Sequence, residues 1–182
     1  QLGFYFRGVI WGSTVPKKNS RRYKEIKTLA AQLALFGIDG VSGGGPGIME
    51  AVNAGIQEAN TSARSIGCTL KLPKESPNAH IDVGSVYDAE DFGLRLDLFG
   101  AFGTIFVCAP ARGIGTNLEM AWALQICQLM KNKGQSHETK GLYFFSQSVQ
   151  LGYLPKIVLI GRGAYGYVQR MLKQMLREGY IS

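Results

Sequence analysis

FVCAPARGIGTNLEMAW, residues 106 to 122, reads as a buried strand, a glycine-rich turn and the first turns of a helix. Gly113 and Gly115 let backbone N–H groups approach a ligand with no Cβ in the way. A helix opening at Thr116 adds unpaired N–H groups and a partial positive charge, a geometry suited to an anion. A second run, VSGGGPGIMEA from Val41 to Ala51, repeats the grammar: a short apolar strand, consecutive glycines, a proline suited to a loop or first helical turn, then a helix. Two such turns in one small chain point to a nucleotide cleft.

Outward from these turns, strands and helices alternate. Phe4 to Trp11 is the first strand, ending in the small, hydroxyl-bearing turn Gly12-Ser13-Thr14. Asn19 or Ser20 caps a helix to about Phe36, with Tyr23, Ile26, Leu29, Ala30 and Leu33 as its apolar stripe and Gly37 as its stop. Ile38 to Ser42 is a strand, and Gly47 to Ala59 a helix with Met49, Val52 and Ile56 inward. Ser65 to Leu72 is a strand, followed by turn chemistry at Pro73 to Asn78 and an irregular segment around His80 and Asp82. Asp88 to Ala101 reads as a helix in which Phe92, Leu96 and Phe99 surround Arg95. Gly103 to Cys108 is the strand that delivers the central loop, and Thr116 to Met130 is the longest helix. After a polar insertion at Asn132 to Lys140, strands at Leu142 to Phe145 and Lys156 to Ile160 precede a helix from Tyr165 to about Glu178. This alternation predicts an α/β fold, a Rossmann-like three-layer α/β/α sandwich with a mainly parallel sheet and ligands at the carboxyl ends of the strands.

The 182 residues, 46% of them hydrophobic, fit a single domain spanning 1–182 with a full core. The formal charge of +7 and the basic crowd Lys17, Lys18, Arg21, Arg22, Lys24 and Lys27 raise the question of a polyanion. A basic run is more often a solvated helix face, and no interleaved aromatics support nucleic-acid binding. Cys68, Cys108 and Cys127 are odd in number and widely spaced, as reduced buried thiols of a cytoplasmic protein would be, without a metal site. No apolar run spans a membrane, and LGFYFRGVIW, interrupted by Arg7, reads as a strand and not as a signal peptide. The chain does not begin with Met, so residues are expected before Gln1.

With these residues in place, nearly the whole chain resembles the LOG family, long labelled possible lysine decarboxylases and known chiefly as nucleoside 5′-monophosphate phosphoribohydrolases. The resemblance rests on Gly12 to Thr14, on SGGGPGIMEA from Ser42, on LPKESPNAHID from Leu72, on Arg95 before GIGTNLE, which is similar to the family's PGGxGTxxE, and on the closing KIVLIG and REGYIS segments. It implies that Arg95 and Glu119 are catalytic. It also implies that the loops Ser42, Gly43, Gly44, Gly45 and Gly47, and Gly113, Ile114, Gly115 and Thr116, hold the nucleotide, with Gly12, Ser13, Met49 and Arg112 beside them. Dimers with helices packed between subunits are common in that family. The chain departs from the pattern at Pro110 to Thr116, where one residue is inserted and Arg112 stands in place of a glycine, and at Leu96 and Leu118.

The residues also have plainer readings. A carboxylate near C1′ stabilises an oxocarbenium-like centre, which Glu119 would supply, yet Thr116-Asn117-Leu118-Glu119 also spells a capping box. Arg95 suits phosphate, or an ion pair with Asp91 four residues earlier. Arg112 reads equally as a phosphate contact or a solvent-facing side chain, and Ser13 as a ligand donor or the end of a Ser-type turn. Met49 and Trp122 read as core, and His80 and His137 as surface or turn residues. The expected activity is hydrolysis of an AMP-like purine nucleoside monophosphate to base and ribose 5-phosphate with no cofactor or metal, in a homodimer. The alternative is a non-catalytic nucleotide- or phosphorylated-cofactor-binding protein on the same fold. Lysine decarboxylation ranks last, because neither glycine turn carries a Schiff-base lysine.

Overall fold

The computed structural model describes residues 6–71, 76–109, 114–132 and 156–160, with Lys173 and Arg177 as isolated helical positions. Its elements run β1 (Arg7–Trp11), α1 (Arg21–Leu35), β2 (Asp39–Ser42), α2 (Ile48–Glu58), β3 (Ser65–Leu70), β4 (Val86–Ala89), α3 (Phe92–Phe102), β5 (Ile105–Cys108), α4 (Ile114–Asn132) and β6 (Lys156–Leu159). The strands form one six-stranded sheet in the order β4-β3-β2-β1-β5-β6, with every pair parallel. The α/β sandwich expected from the alternation is therefore present.

The period-two alternation of the strands sorts side chains between two helical layers. Ile10 and Val107 face α1 and α2, packing with Tyr23, Ile26, Ile48, Val52 and Ile56. Val9, Trp11, Val41, Ile66, Cys68, Phe106 and Cys108 face the opposite way, against Leu96 and Phe99 of α3 and Met120, Ala123 and Leu124 of α4. Trp11, Phe99 and Phe106 are almost wholly buried, each contributing about 1.5–3 kcal/mol of hydrophobic stabilisation. The chain builds outward from β1 through β2 and β3 to β4, and then crosses back so that α3 delivers β5 on the other side of β1. That reversal falls between the carboxyl ends of β1 and β5, the position at which sheets of this class open a crevice for their ligands.

Several boundaries differ from expectation. The segment read as irregular contains the edge strand β4, and α3 starts four residues later than Asp88 because Asp91 is its N-cap, accepting from the Leu94 N–H at 2.9 Å. Acidic residues at 88, 90 and 91 imitate a helix start, and β4, with only Ala89 fully buried, lacks the apolar run of an interior strand. Ser20 caps α1, accepting from the Tyr23 N–H. Helix α4 opens at Ile114, so Thr116 lies within its first turn and does not cap it. The expected strand at 142–145, the helix at 165–178, the polar insertion, His137 and the side chain of Cys127 lie outside the described residues, as do Arg112 and Gly113. Among the described residues no helix is long and apolar enough to cross a membrane, and no cluster of potential ligands could hold a metal ion.

Candidate functional site

The glycine loop after β2 forms one wall of the crevice. Gly44 and Gly47 have φ of +75° and +73°, a region that favours glycine, and a Cβ at Gly47 would also lie 2.6 Å from main-chain atoms of Ser13 and Thr14. Gly12 is required by the same approach, since its Cβ would lie 2.2 Å from Ile48 Cγ2. The Ser13 carbonyl accepts the Ile48 N–H at 3.0 Å, so the turn after β1 and the start of α2 are clipped together. No side chain caps α2, and the N–H groups of Met49 and Glu50 have no acceptor among the described residues. The helix therefore presents unpaired donors at the crevice.

A buried polar network sets the shape of this loop. Ser42 Oγ donates to Asn53 Oδ1 at 2.6 Å and accepts the Gly44 N–H at 3.0 Å. Asn53 Nδ2 donates to Ser65 Oγ at 2.9 Å and to the Ile66 carbonyl at 3.2 Å. Asn78 Nδ2 faces Asn53 Oδ1 at 2.9 Å and the carbonyls of Gly44 and Gly45 at 2.9 and 3.2 Å, while the Asn78 N–H donates to the Gly44 carbonyl at 2.8 Å. Ser65 Oγ donates to the His80 carbonyl at 2.6 Å. Ser42 thus shapes the loop, and Asn53 and Asn78, missed in the sequence, are its anchors. The available signals were a lone Asn in the otherwise apolar VNAGI of α2 and an Asn after Pro77 in the segment that follows β3.

Arg95 bridges the loop to the opposite layer. Its Nε donates to the Cys68 carbonyl at 2.9 Å and its Nη2 to the Gly43 carbonyl at 3.3 Å, with Met49 Sδ 3.7 Å away and the Phe99 ring 5.4 Å below the guanidinium carbon. The alternative ion pair with Asp91 does not form, since that carboxylate caps α3. Gly43 is the residue that admits the guanidinium, because a Cβ there would lie 1.8 Å from Nη2. Met49, expected in the core, is half-buried beside Arg95. Gly45 also packs on Met49, whose Cε would stand 2.8 Å from an added Cβ.

Glu119 lies across the crevice on α4. It is 6% exposed and has no hydrogen-bond partner among the described residues. Burial pushes its carboxyl up from 4.5 to about 7, and the Arg95 charge pulls the other way. The helix start at Ile114 removes the capping-box reading. Thr116 is buried one turn earlier, whereas Ile114 and Gly115 are exposed at the mouth. Burial also pushes the Cys68 and Cys108 thiols up to about 12, so neither is a nucleophile near neutrality. Trp11 Nε1, buried in the adjoining aromatic cluster, has no acceptor among the described residues.

The remaining candidates make contacts within the fold. Ser13 Oγ accepts from the Val15 N–H at 3.2 Å, forming the Ser-type turn. His80 sits 3.3 Å from Gln57 Oε1 and 3.9 Å from Glu50 Oε1 in a surface turn. Much of the basic crowd on α1 and its approach is ion-paired: Lys18 with Glu50, Arg21 with Glu25 and Lys27 with Glu58.

No protein-family model and no curated protein matches the chain. Solved structures do. The molybdenum cofactor carrier protein of Chlamydomonas reinhardtii is 18% identical, with a TM-score of 0.57, over 96% of this chain and 99% of that one. The molybdenum cofactor binding protein of the phototrophic bacterium Rippkaea orientalis is 16% identical, with a TM-score of 0.54, over 97% and 99%. The structural-genomics target TM1055 is 18% identical, with a TM-score of 0.58, over 92% and 99%. At these identities the likeness shows the fold.

These findings correct the expectation of a LOG-family member and of an N-glycosyl hydrolase acting on an AMP-like nucleotide: the two similar structures above that are named for a ligand are a carrier and a binder of the molybdenum cofactor. The resemblance misled for a physical reason. Glycine turns followed by helices record how a parallel sheet accommodates a phosphate, and that requirement is the same whether the phosphate belongs to a substrate or to a carried cofactor. The catalytic roles expected of Arg95 and Glu119 fall with the hydrolase.

Proposed function

We propose that this chain binds and carries a phosphorylated cofactor of the molybdenum-cofactor type without turning it over. The observation that carries this reading is the glycine loop between Ser42 and Gly47. Asn53 and Asn78 hold it rigidly, the carbonyls of Gly44 and Gly45 are engaged by Asn78, and the uncapped start of α2 lies beside it. Such a cradle gives a phosphate several preorganised N–H donors at little entropic cost on binding. Arg95, its geometry fixed by two main-chain carbonyls, adds a positive charge to the crevice. Solved structures of similar fold from Chlamydomonas reinhardtii and Rippkaea orientalis are named as carrying or binding the molybdenum cofactor, which supports the same class of cargo here.

A carrier must protect its ligand and release it unchanged, which favours a site without a reactive nucleophile. The high thiol pKa values of Cys68 and Cys108 fit that requirement. The test is to mix the purified protein anaerobically with molybdenum cofactor released from a molybdoenzyme and to follow molybdenum through gel filtration. Co-elution with the wild-type protein, lost in Gly43→Val, is the expected result. Absence of molybdenum from the protein peak would refute the reading.

A further inference from the structure

Glu119 forms a second pole of the crevice, distinct in chemistry from the glycine loop. A carboxylate so deeply buried normally has hydrogen-bond donors, because desolvating its oxygens is costly, yet none of the described residues supplies one. Its electrostatic neighbours are Arg95 of α3 and Cys108 of β5, with neither within hydrogen-bond or ion-pair reach. Three residues further along α4, on the same side of the helix, stands Trp122. Its half-buried ring is held at 6.5 Å from Trp11 and 6.3 Å from Phe106, both nearly edge-on. An aromatic ring and an acceptor with two in-plane oxygens thus lie on one side of α4, about one helical turn apart.

We propose, resting on the reading of the crevice as a cofactor site, that Glu119 accepts the paired N–H donors of a planar ligand heterocycle, a 2-amino-4-oxopyrimidine edge, while the glycine loop takes the phosphate end. A carboxylate and an amino-pyrimidinone edge are both flat and match donor for acceptor, the geometry that makes bidentate pairs strong and selective. A sugar diol can also pair with a carboxylate, but only a planar heterocycle adds ring-on-ring stacking against an aromatic side chain. Arg95 stands between the poles, touching the Gly43 carbonyl on one side and acting through space on Glu119 on the other. Phosphate end and heterocycle end are therefore read by separate groups.

The edge is shared by pterins and guanine, so the test uses both, together with an analogue in which the donor is removed. Wild-type protein and Glu119→Gln are titrated near neutral pH with pterin, with guanosine and with lumazine, which carries a carbonyl in place of the 2-amino group. Inorganic phosphate is titrated in parallel. The expected result is a preference for pterin over lumazine of about tenfold or more in the wild type, abolished in Glu119→Gln, whose amide offers one acceptor and one donor. Phosphate affinity should be the same in both proteins. A stronger response to guanosine than to pterin identifies the purine as the source of the edge.

Equal binding of pterin and lumazine to the wild type overturns the inference, with no need for a folded variant. So does a preference that survives in Glu119→Gln. Phosphate binding separates this failure from failure of the function itself. Retained phosphate binding without heterocycle preference leaves the carrier reading intact, whereas loss of both removes the two together.

Discussion

The two walls of the crevice solve the problem of a buried polar group in opposite ways. At the glycine loop, Ser42, Asn53, Ser65 and Asn78 bond to one another and to main-chain carbonyls, so the network is complete before any ligand arrives. At the α4 wall, Glu119 is 6% exposed and has no donor among the described residues. A complete network confers rigidity and a single loop conformation, while an incomplete one stores free energy that a ligand can release. The contrast separates scaffold from recognition within a single crevice.

Substitutions on the two walls sharpen this contrast. The largest effect is expected from Gly47→Ala, which places a Cβ at 2.6 Å from the main chain of Ser13 and Thr14 in a backbone region that favours glycine. Strain and overpacking together should destabilise the fold by about 4 kcal/mol in urea unfolding. A loss below about 1 kcal/mol would mean that the clip between β1 and α2 is soft.

Next comes Glu119. Its folded carboxyl titrates at about 7 against 4.5 for the free group, so between those values the folded state holds more protons than the unfolded one. The stability associated with this group is fully present below pH 4.5 and is lost as pH rises through 7. The loss amounts to about 3 kcal/mol. Glu119→Gln should flatten that slope and be more stable than the wild type above neutrality. A wild-type stability with no such decline would place a donor on the carboxylate and dissolve the distinction between the walls.

Asn53→Ala should cost somewhat less, about 2 kcal/mol, because the Ser42 hydroxyl and the Ile66 carbonyl lose a partner while Asn78 keeps its bonds to the loop. The comparison predicts opposite signs above neutral pH: removing polarity from the loop wall destabilises, and removing charge from the α4 wall stabilises. Equal signs would end it.

The legibility of the site follows the same division. Gly44 and Gly47 answer a local demand for positive φ, while Gly12 and Gly43 make room for Ile48 and Arg95 from distant parts of the chain; all were legible because a cluster of glycines after a strand is itself visible in the sequence. Asn53 and Asn78 lie far apart in the chain and meet only when the segment after β3 folds back along the sheet. Nothing in either neighbourhood announces the other. Arg95 was singled out, but the choice between Asp91 and the loop depended on Asp91 capping α3, and the adjacent acidic residues Asp88 and Glu90 concealed where that helix begins.

By itself the sequence determined the alternation of strands and helices, the glycine turn after β2 and the parallel sheet, because periodicity and backbone freedom are properties of short stretches. Only the tertiary structure decided which polar residues complete one another and which buried carboxylate stands without a partner among the described residues. Hydrogen bonding and desolvation depend on groups brought together from distant parts of the chain, and their energies exist only once water has been excluded from between them.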